Sequence, residues 1–163
     1  MGVHRAYLSL GSNLEPETHL RAAIAELRAR FGALIVSPVY RSKAVGFDGP
    51  DFFNLAVGLD TDLDPLALDT WLHALEDRHG RRRDVPRYSS RTLDVDIVLF
   101  DDLVVAGPGH LRIPRPELRE PFVLEPLCDI AADVRDPASG RTLAELRPSS
   151  GTISAMERVP IDL

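Results

Sequence analysis

Three features of the sequence predict an α+β domain. Short segments with the two-residue period of a half-buried strand are interleaved with two longer segments of helical period. The segments run in the order strand, helix, strand, strand, helix, strand. Gly and Pro stand at the joints between them and form no low-complexity linker, although the chain holds 13 prolines.

Arg5 to Leu10 reads as the first strand, ended by Gly11-Ser12-Asn13. Asn13 is placed to cap a helix opened by Glu15, Pro16 and Glu17. Leu20, Ala23, Ile24, Leu27 and Phe31 then form one helical stripe, stopped by Gly32. Leu34 to Ser42 is a second extended segment, in which Pro38 implies an edge or an irregularity. A loop from Lys43 to Asp51, with Gly46, Gly49 and Pro50, leads to a third strand over Phe52 to Asp60. Asp64 and Pro65 open the second helix, whose Leu68, Trp71, Leu72 and Leu75 face the core before Gly80. After an Arg-rich loop comes the fourth strand, Leu93 to Phe100. This β-α-β-β-α-β order is the ferredoxin-like pattern, an antiparallel sheet with helices on one face and an open face for a ligand. The Pro-rich C-terminal third is expected to add short helices and loops. A single domain over 1–163 is expected, with a core of about 5–146 and a weakly patterned, mobile tail over 147–163.

Bulk properties exclude several classes. The 44% apolar and 27% charged fractions are those of an ordinary globular chain. No apolar run approaches the ~20 residues of a membrane span, and the N-terminus lacks a secretory segment, so a cytoplasmic protein without a membrane partner is expected. The lone Cys128 fits a reducing compartment. A net charge of -6 argues against nucleic acid as a partner.

The fourth strand carries a contradiction. Asp94 and Asp96 are two apart and share a face, while Leu93, Val95, Ile97 and Leu99 fill the other. Their Cβ atoms stand roughly 6.6 Å apart, close enough for both carboxylates to hold one Mg²⁺ site. The alternative is a solvated face of an antiparallel strand. Arg81, Arg82, Arg83, Arg87 and Arg91 precede the pair, opposed only by Asp84. Guanidinium groups beside a dicarboxylate suit a polyphosphate, and phosphoryl transfer needs such charge neutralisation above all. A solvated basic loop or a single-strand patch with Tyr88 as stacking group are the other readings. No Gly-x-x-x-x-Gly-Lys-Ser/Thr loop is present.

The string Arg87-Tyr-Ser-Ser-Arg91-Thr-Leu-Asp94-Val-Asp96-Ile-Val resembles the signature of the 6-hydroxymethyl-7,8-dihydropterin pyrophosphokinases. Leu10-Gly-Ser-Asn-Leu14, Val39-Tyr-Arg-Ser42, Phe52-Phe-Asn54 and Phe122-Val-Leu-Glu-Pro-Leu127 agree in order and spacing, over roughly Ala6 to Leu146. The resemblance implies transfer of pyrophosphate from ATP to the pterin hydroxymethyl group with release of AMP. It implies two Mg²⁺ ions on Asp94 and Asp96, catalytic Arg81 and Arg91, and ATP contacts from Glu76, Arg83, Ile97 and Arg115. On the pterin side it implies Val45, Phe52, Asn54, Tyr88 and Phe122. Asn54 offers a donor and an acceptor in one side chain, and the aromatic rings offer stacking faces. ATP and a dihydropterin are then the partners of a chain expected to act as a monomer.

Three positions depart from the family pattern: Arg115 where His is common, Glu120 where Arg is common, and Lys43 where a small residue or Pro is usual. They leave open a diverged paralogue acting on a related heterocyclic alcohol. A non-catalytic ferredoxin-like binding module is the remaining alternative, and it would have no use for the aspartate pair.

Overall fold

The computed structural model describes residues 3–43, 48–80, 92–147 and 156–163. The elements are β1 (His4–Ser12), α1 (Pro16–Phe31), β2 (Ile35–Val36), β3 (Val39–Ser42), β4 (Phe52–Thr61), α2 (Pro65–Arg78), β5 (Asp94–Phe100), β6 (Val105–Ala106), β7 (Arg112–Ile113), a 3₁₀ turn (Pro116–Arg119), α3 (Pro121–Ala131), α4 (Leu143–Leu146) and β8 (Glu157–Val159). The main sheet runs β5-β1-β4-β3-β8, with β2 also on β4, and every pairing in it is antiparallel. The βαββαβ order and central β1 are those of the ferredoxin-like fold.

Alternation along the strands produces two cores. Ala6, Leu8, Leu10, Leu55, Val57, Leu59, Val95 and Ile97 face α1 and α2, which contribute Leu20, Ala23, Ile24, Leu27, Leu68, Leu72 and Leu75. On the opposite face Tyr7, Ala56, Val98 and Leu99 pack under the 3₁₀ turn, α3 and α4 through Leu118, Val123, Leu124, Leu127, Leu143 and Leu146. The face expected to stay open is therefore partly covered by the C-terminal extension. At ~25 cal/mol per Å² of apolar area, covering these aromatic and aliphatic side chains is favoured over leaving them in water.

Local differences from the sequence expectation have identifiable causes. The first strand does not stop at Gly11; it continues through Ser12, because Gly11 and Ser12 pair with Asn54 and Phe53. Asn13 does not cap α1. Its Nδ2 donates to the Pro50 carbonyl at 3.1 Å, and the cap position is Glu15, at φ 46° with no side-chain cap bond. The segment over 34–42 splits into β2 and β3 at Ser37-Pro38. There the Ser37 hydroxyl takes over a ladder position, accepting the Ala56 N–H at 2.8 Å. Leu99 does not join Val95 and Ile97. The register steps from Tyr7↔Leu99 to Leu8↔Ile97, so Val98 is a bulge residue and the parity of the strand flips at that point. Residues 148–155 of the tail lie outside the described residues, whereas β8 pairs with β3 and Val159, Ile161 and Leu163 pack against the first core. A three-residue edge strand has too short a period to be read from sequence.

Candidate active site

The floor of the site is a row of residues across three strands. Gly11 lies opposite Asp94 on one side and Asn54 on the other; Ser9 likewise lies between Asp96 and Ala56. Asp94, Asp96, Asn54 and Phe52 thus share the face that carries α3, while Phe53 packs on the α1–α2 side. The close approach at Gly11 is steric: a Cβ there would come within 2.6 Å of Asn54 Nδ2. Glycine therefore lets the buried Asn54 amide lie over β1, where it donates to the Leu10 carbonyl at 3.5 Å. Phe122, at the start of α3, packs against the second core above the same face.

The aspartates are held without being buried. Arg115 Nη2 lies 3.5 Å from Asp96 Oδ1, and its Nε lies 3.3 Å from Glu117 Oε2. The Asp96 side chain is 34% exposed and that of Arg115 29%, so both can meet a ligand arriving from solvent. Arg115 is anchored at the backbone, its N–H donating to the Val98 carbonyl at 3.0 Å on the outer edge of β5. Two half-buried carboxylates on alternate residues, with Gly11 and Ser9 as small neighbours, are a hard-oxygen donor set. They fit an ion that takes one or two carboxylates and fills its shell with water and phosphate oxygens. Among the described residues no group of three or more His, Cys, Asp or Glu side chains gathers as a metal site.

Glu76 and Ile97, two of the residues expected near ATP, are both buried. Glu76 is 4% exposed, and its Oε2 accepts the Val95 N–H at 2.8 Å. Its carboxylate secures the free edge of β5 from the last turn of α2. Ile97 is 2% exposed, with its side chain in the α1–α2 core, so it offers no side-chain surface to the site. Since the Val95 N–H points away from β1, alternation directs the Ile97 peptide groups to that same outer edge. Arg81, Arg83, Arg91, Val45 and Tyr88 lie outside the described residues. Of the three departures, Glu120 and Lys43 are exposed, and only Arg115 reaches the aspartates.

Sequence reasoning passed over Gly11 as a strand terminator and gave no role to Tyr40 or Asp129. Tyr40 pairs with Asn54 and donates from its hydroxyl to Asp129 Oδ2 on α3 at 2.5 Å. The Gly-Ser-Asn string could have flagged Gly11. No sequence signal links Tyr40 to Asp129, which are 89 residues apart.

The fold is shared with solved pyrophosphokinase-containing chains. A triple mutant of the Plasmodium falciparum HPPK-DHPS superposes with a TM-score of 0.73 at 14% identity, covering 96% of this chain and 45% of that one. The wild-type form gives 0.67 at 13% identity, over 89% and 44%. This chain thus spans less than half of those proteins, and at such identity the likeness is one of fold. Sequence comparison goes further. The 7,8-dihydro-6-hydroxymethylpterin-pyrophosphokinase (HPPK) family matches residues 7–132. A 2-amino-4-hydroxy-6-hydroxymethyldihydropteridine pyrophosphokinase of Pseudomonas aeruginosa is 40% identical over 97% of this chain and 98% of its own length. Those of Synechocystis and Bacillus subtilis are 40% and 37% identical, over 88% and 82% of this chain and 74% and 82% of their own. The chain belongs to the HPPK family.

Proposed function

We propose that this chain transfers the pyrophosphoryl group of ATP to 6-hydroxymethyl-7,8-dihydropterin, a step of folate biosynthesis. The observation that carries the reading is the floor row, in which Asp94, Gly11 and Asn54 stand side by side on one face of a pyrophosphokinase fold. The hydroxymethyl oxygen attacks the β-phosphorus, the bond from that phosphorus to the oxygen bridging to the α-phosphate breaks, and AMP leaves. The acceptor hydroxyl loses its proton to solvent, and the second product is the pterin diphosphate.

Asp94 and Asp96 would hold Mg²⁺, two ions by family resemblance, which supplies charge neutralisation on the triphosphate. The residues of the chain do the positioning. Arg115, already turned toward Asp96, sits on the phosphate side and offers a permanently charged planar donor. Its side chain pairs with Asp96 and Glu117, so this departure bears on the donor side of the site. The Ile97 peptide edge would meet the adenine, with Glu76 holding β5 in place beside it. Arg81 and Arg91 are assigned to the triphosphate and to catalysis, and Arg83 to the nucleotide, on the family resemblance alone. Asn54 would read the amide-like edge of the pterin, between the rings of Phe122, Phe52 and Tyr88, with Val45 on the entry loop. The chain acts as a monomer in the cytoplasm in this reading. Among the described residues no helix is long and apolar enough to cross a membrane.

The test is incubation with ATP, Mg²⁺ and the dihydropterin, with nucleotide products separated. AMP in step with pterin diphosphate is expected. ADP as the sole nucleotide product would remove the pyrophosphoryl assignment, and AMP formed only with another acceptor would favour the diverged paralogue.

A further inference from the structure

We propose that Arg158, on the C-terminal strand β8, is a positioning residue for the acceptor pocket. Through Tyr40 and Asp129 it sets the gap between the sheet and α3. The inference rests on the reading above in which Asn54 and Phe122 receive the heterocycle across that gap.

Three side chains from three elements close on one another. Arg158 Nη2 donates to Asp129 Oδ1 at 2.7 Å, and its Nε donates to the Tyr40 hydroxyl oxygen at 3.0 Å. The Tyr40 hydroxyl donates to Asp129 Oδ2 at 2.5 Å. The guanidinium also lies over the Tyr40 ring, 5.6 Å from its centroid. Both carboxylate oxygens of Asp129 are thus taken, one from β8 and one from β3, and the direction of α3 over the sheet is fixed at that point. Burial, then Asp129, pushes the Tyr40 phenol up from its ordinary value, so it remains a donor at neutral pH.

Register and helical period carry this clamp to the pocket. Tyr40 stands directly opposite both Arg158 on β8 and Asn54 on β4. Asp129 and Phe122 are seven residues apart on α3, two turns and ~10.5 Å along the same stripe. A tilt of α3 at Asp129 therefore moves the Phe122 ring relative to the sheet face that carries Asn54. A stacked heterocycle is sensitive to such displacement, because ~1 Å of misplacement already costs much of a positioned contact. The pair is poor as a stability device. Arg158 is 62% exposed, and pairs that open contribute little to folding.

The experiment is steady-state kinetics and melting temperature for Arg158→Ala, Arg158→Lys, Asp129→Asn and the double variant Arg158→Ala/Asp129→Asn. Asn54→Ala and Phe122→Ala serve as pocket references. Arg158→Ala and Asp129→Asn are expected to raise KM for the dihydropterin about fivefold, with KM for ATP within about twofold of the parent. Arg158→Lys, which keeps the charge and loses the fork, should fall between. The double variant should be no worse than the weaker single one, since all three side chains act as one clamp. Unchanged pterin KM in both single variants, with the pocket references impaired, would overturn the role of Arg158 alone. Unchanged pterin KM in the pocket references would overturn the acceptor-side reading and this inference with it. A fall in melting temperature and kcat without any change in pterin KM would reduce Arg158 to a structural residue.

Discussion

At the scale of single residues, the aspartate pair and Gly11 make separate demands on the site. Replacing Asp94 or Asp96 by Asn keeps volume and removes one charge from a like-charged pair. The fold should survive, since both side chains are only half-buried and the pair of Asp96 with Arg115 is partly exposed. Activity should fall about a hundredfold or more, the ~3 kcal/mol typical of a lost electrostatic contact at a phosphoryl centre. Melting curves without ligand and rates across a Mg²⁺ titration test this. Near-parental rates in both variants would rule out a metal role. Gly11→Ala makes a different test. Its Cβ would force Asn54 Nδ2 away from 2.6 Å, displacing the amide without touching the carboxylates. A rise in pterin KM of tenfold or so is expected, worth about 1.4 kcal/mol, with the ATP KM near its parental value. Equal loss toward both substrates would mean that β1 itself had shifted.

At the scale of elements, α1 and α2 are joined by a titratable clasp. His79 Nε2 bonds Glu26 Oε2 at 2.9 Å, its Nδ1 faces His19 Nδ1 at 2.8 Å, and Arg78 Nε donates to Glu26 Oε1 at 3.0 Å. Burial, then the neighbouring His79, pushes His19 below its ordinary value of 6.5, with Glu15 opposing. Burial pushes Glu26 up, but the hydrogen bonds from His79 and Arg78 outweigh it and hold the carboxyl below its ordinary 4.5. Both native groups therefore bind fewer protons than the unfolded chain as the medium is acidified. Stability from His19 is complete above about pH 6.5 and is lost as pH falls through its folded value; stability from Glu26 is lost below about 4.5. Melting temperature should be flat from pH 8 to 7 and decline in those two stages. In His19→Asn the first stage should be shallower. An unchanged first stage in that variant would assign it to another group.

At the scale of the whole molecule, the sheet divides the labour of the chain. One face is sealed by α1 and α2 and holds the larger core; the other is covered only where α3 and α4 reach. That face carries the half-buried aspartates at the β5 edge and the buried Asn54 two strands away. In the proposed reading, donor and acceptor sites share one floor. A non-hydrolysable ATP analogue should raise the melting temperature only with Mg²⁺ present, and addition of the pterin should raise it further. At about 100 Kd each ligand contributes about 2.7 kcal/mol, or several degrees for a chain of this size. Stabilisation by the nucleotide that is indifferent to Mg²⁺ would argue against a metal-bridged triphosphate.

The element order, the ferredoxin-like class, the α1 and α2 stripes and the shared face of Asp94 and Asp96 are all legible in the chain before it folds. Each of these rests on periodicity within a dozen residues, which local sterics impose wherever the segment lies. Phe52 and Asn54 facing away from Phe53 follow from the same alternation. Tertiary structure alone decided the bulge at Val98, because an extra residue in one strand is visible only against its partner. Only there, too, did Glu76 become the cap of a strand edge, Asn13 a tie to Pro50, and Arg115 the neighbour of Asp96. The Tyr40–Asp129–Arg158 cluster is the plainest case. Its members are separated by up to 118 residues, and their hydrogen bonds leave no period in the chain. Long-range polar contacts are selected by geometry after the strands and helices have packed.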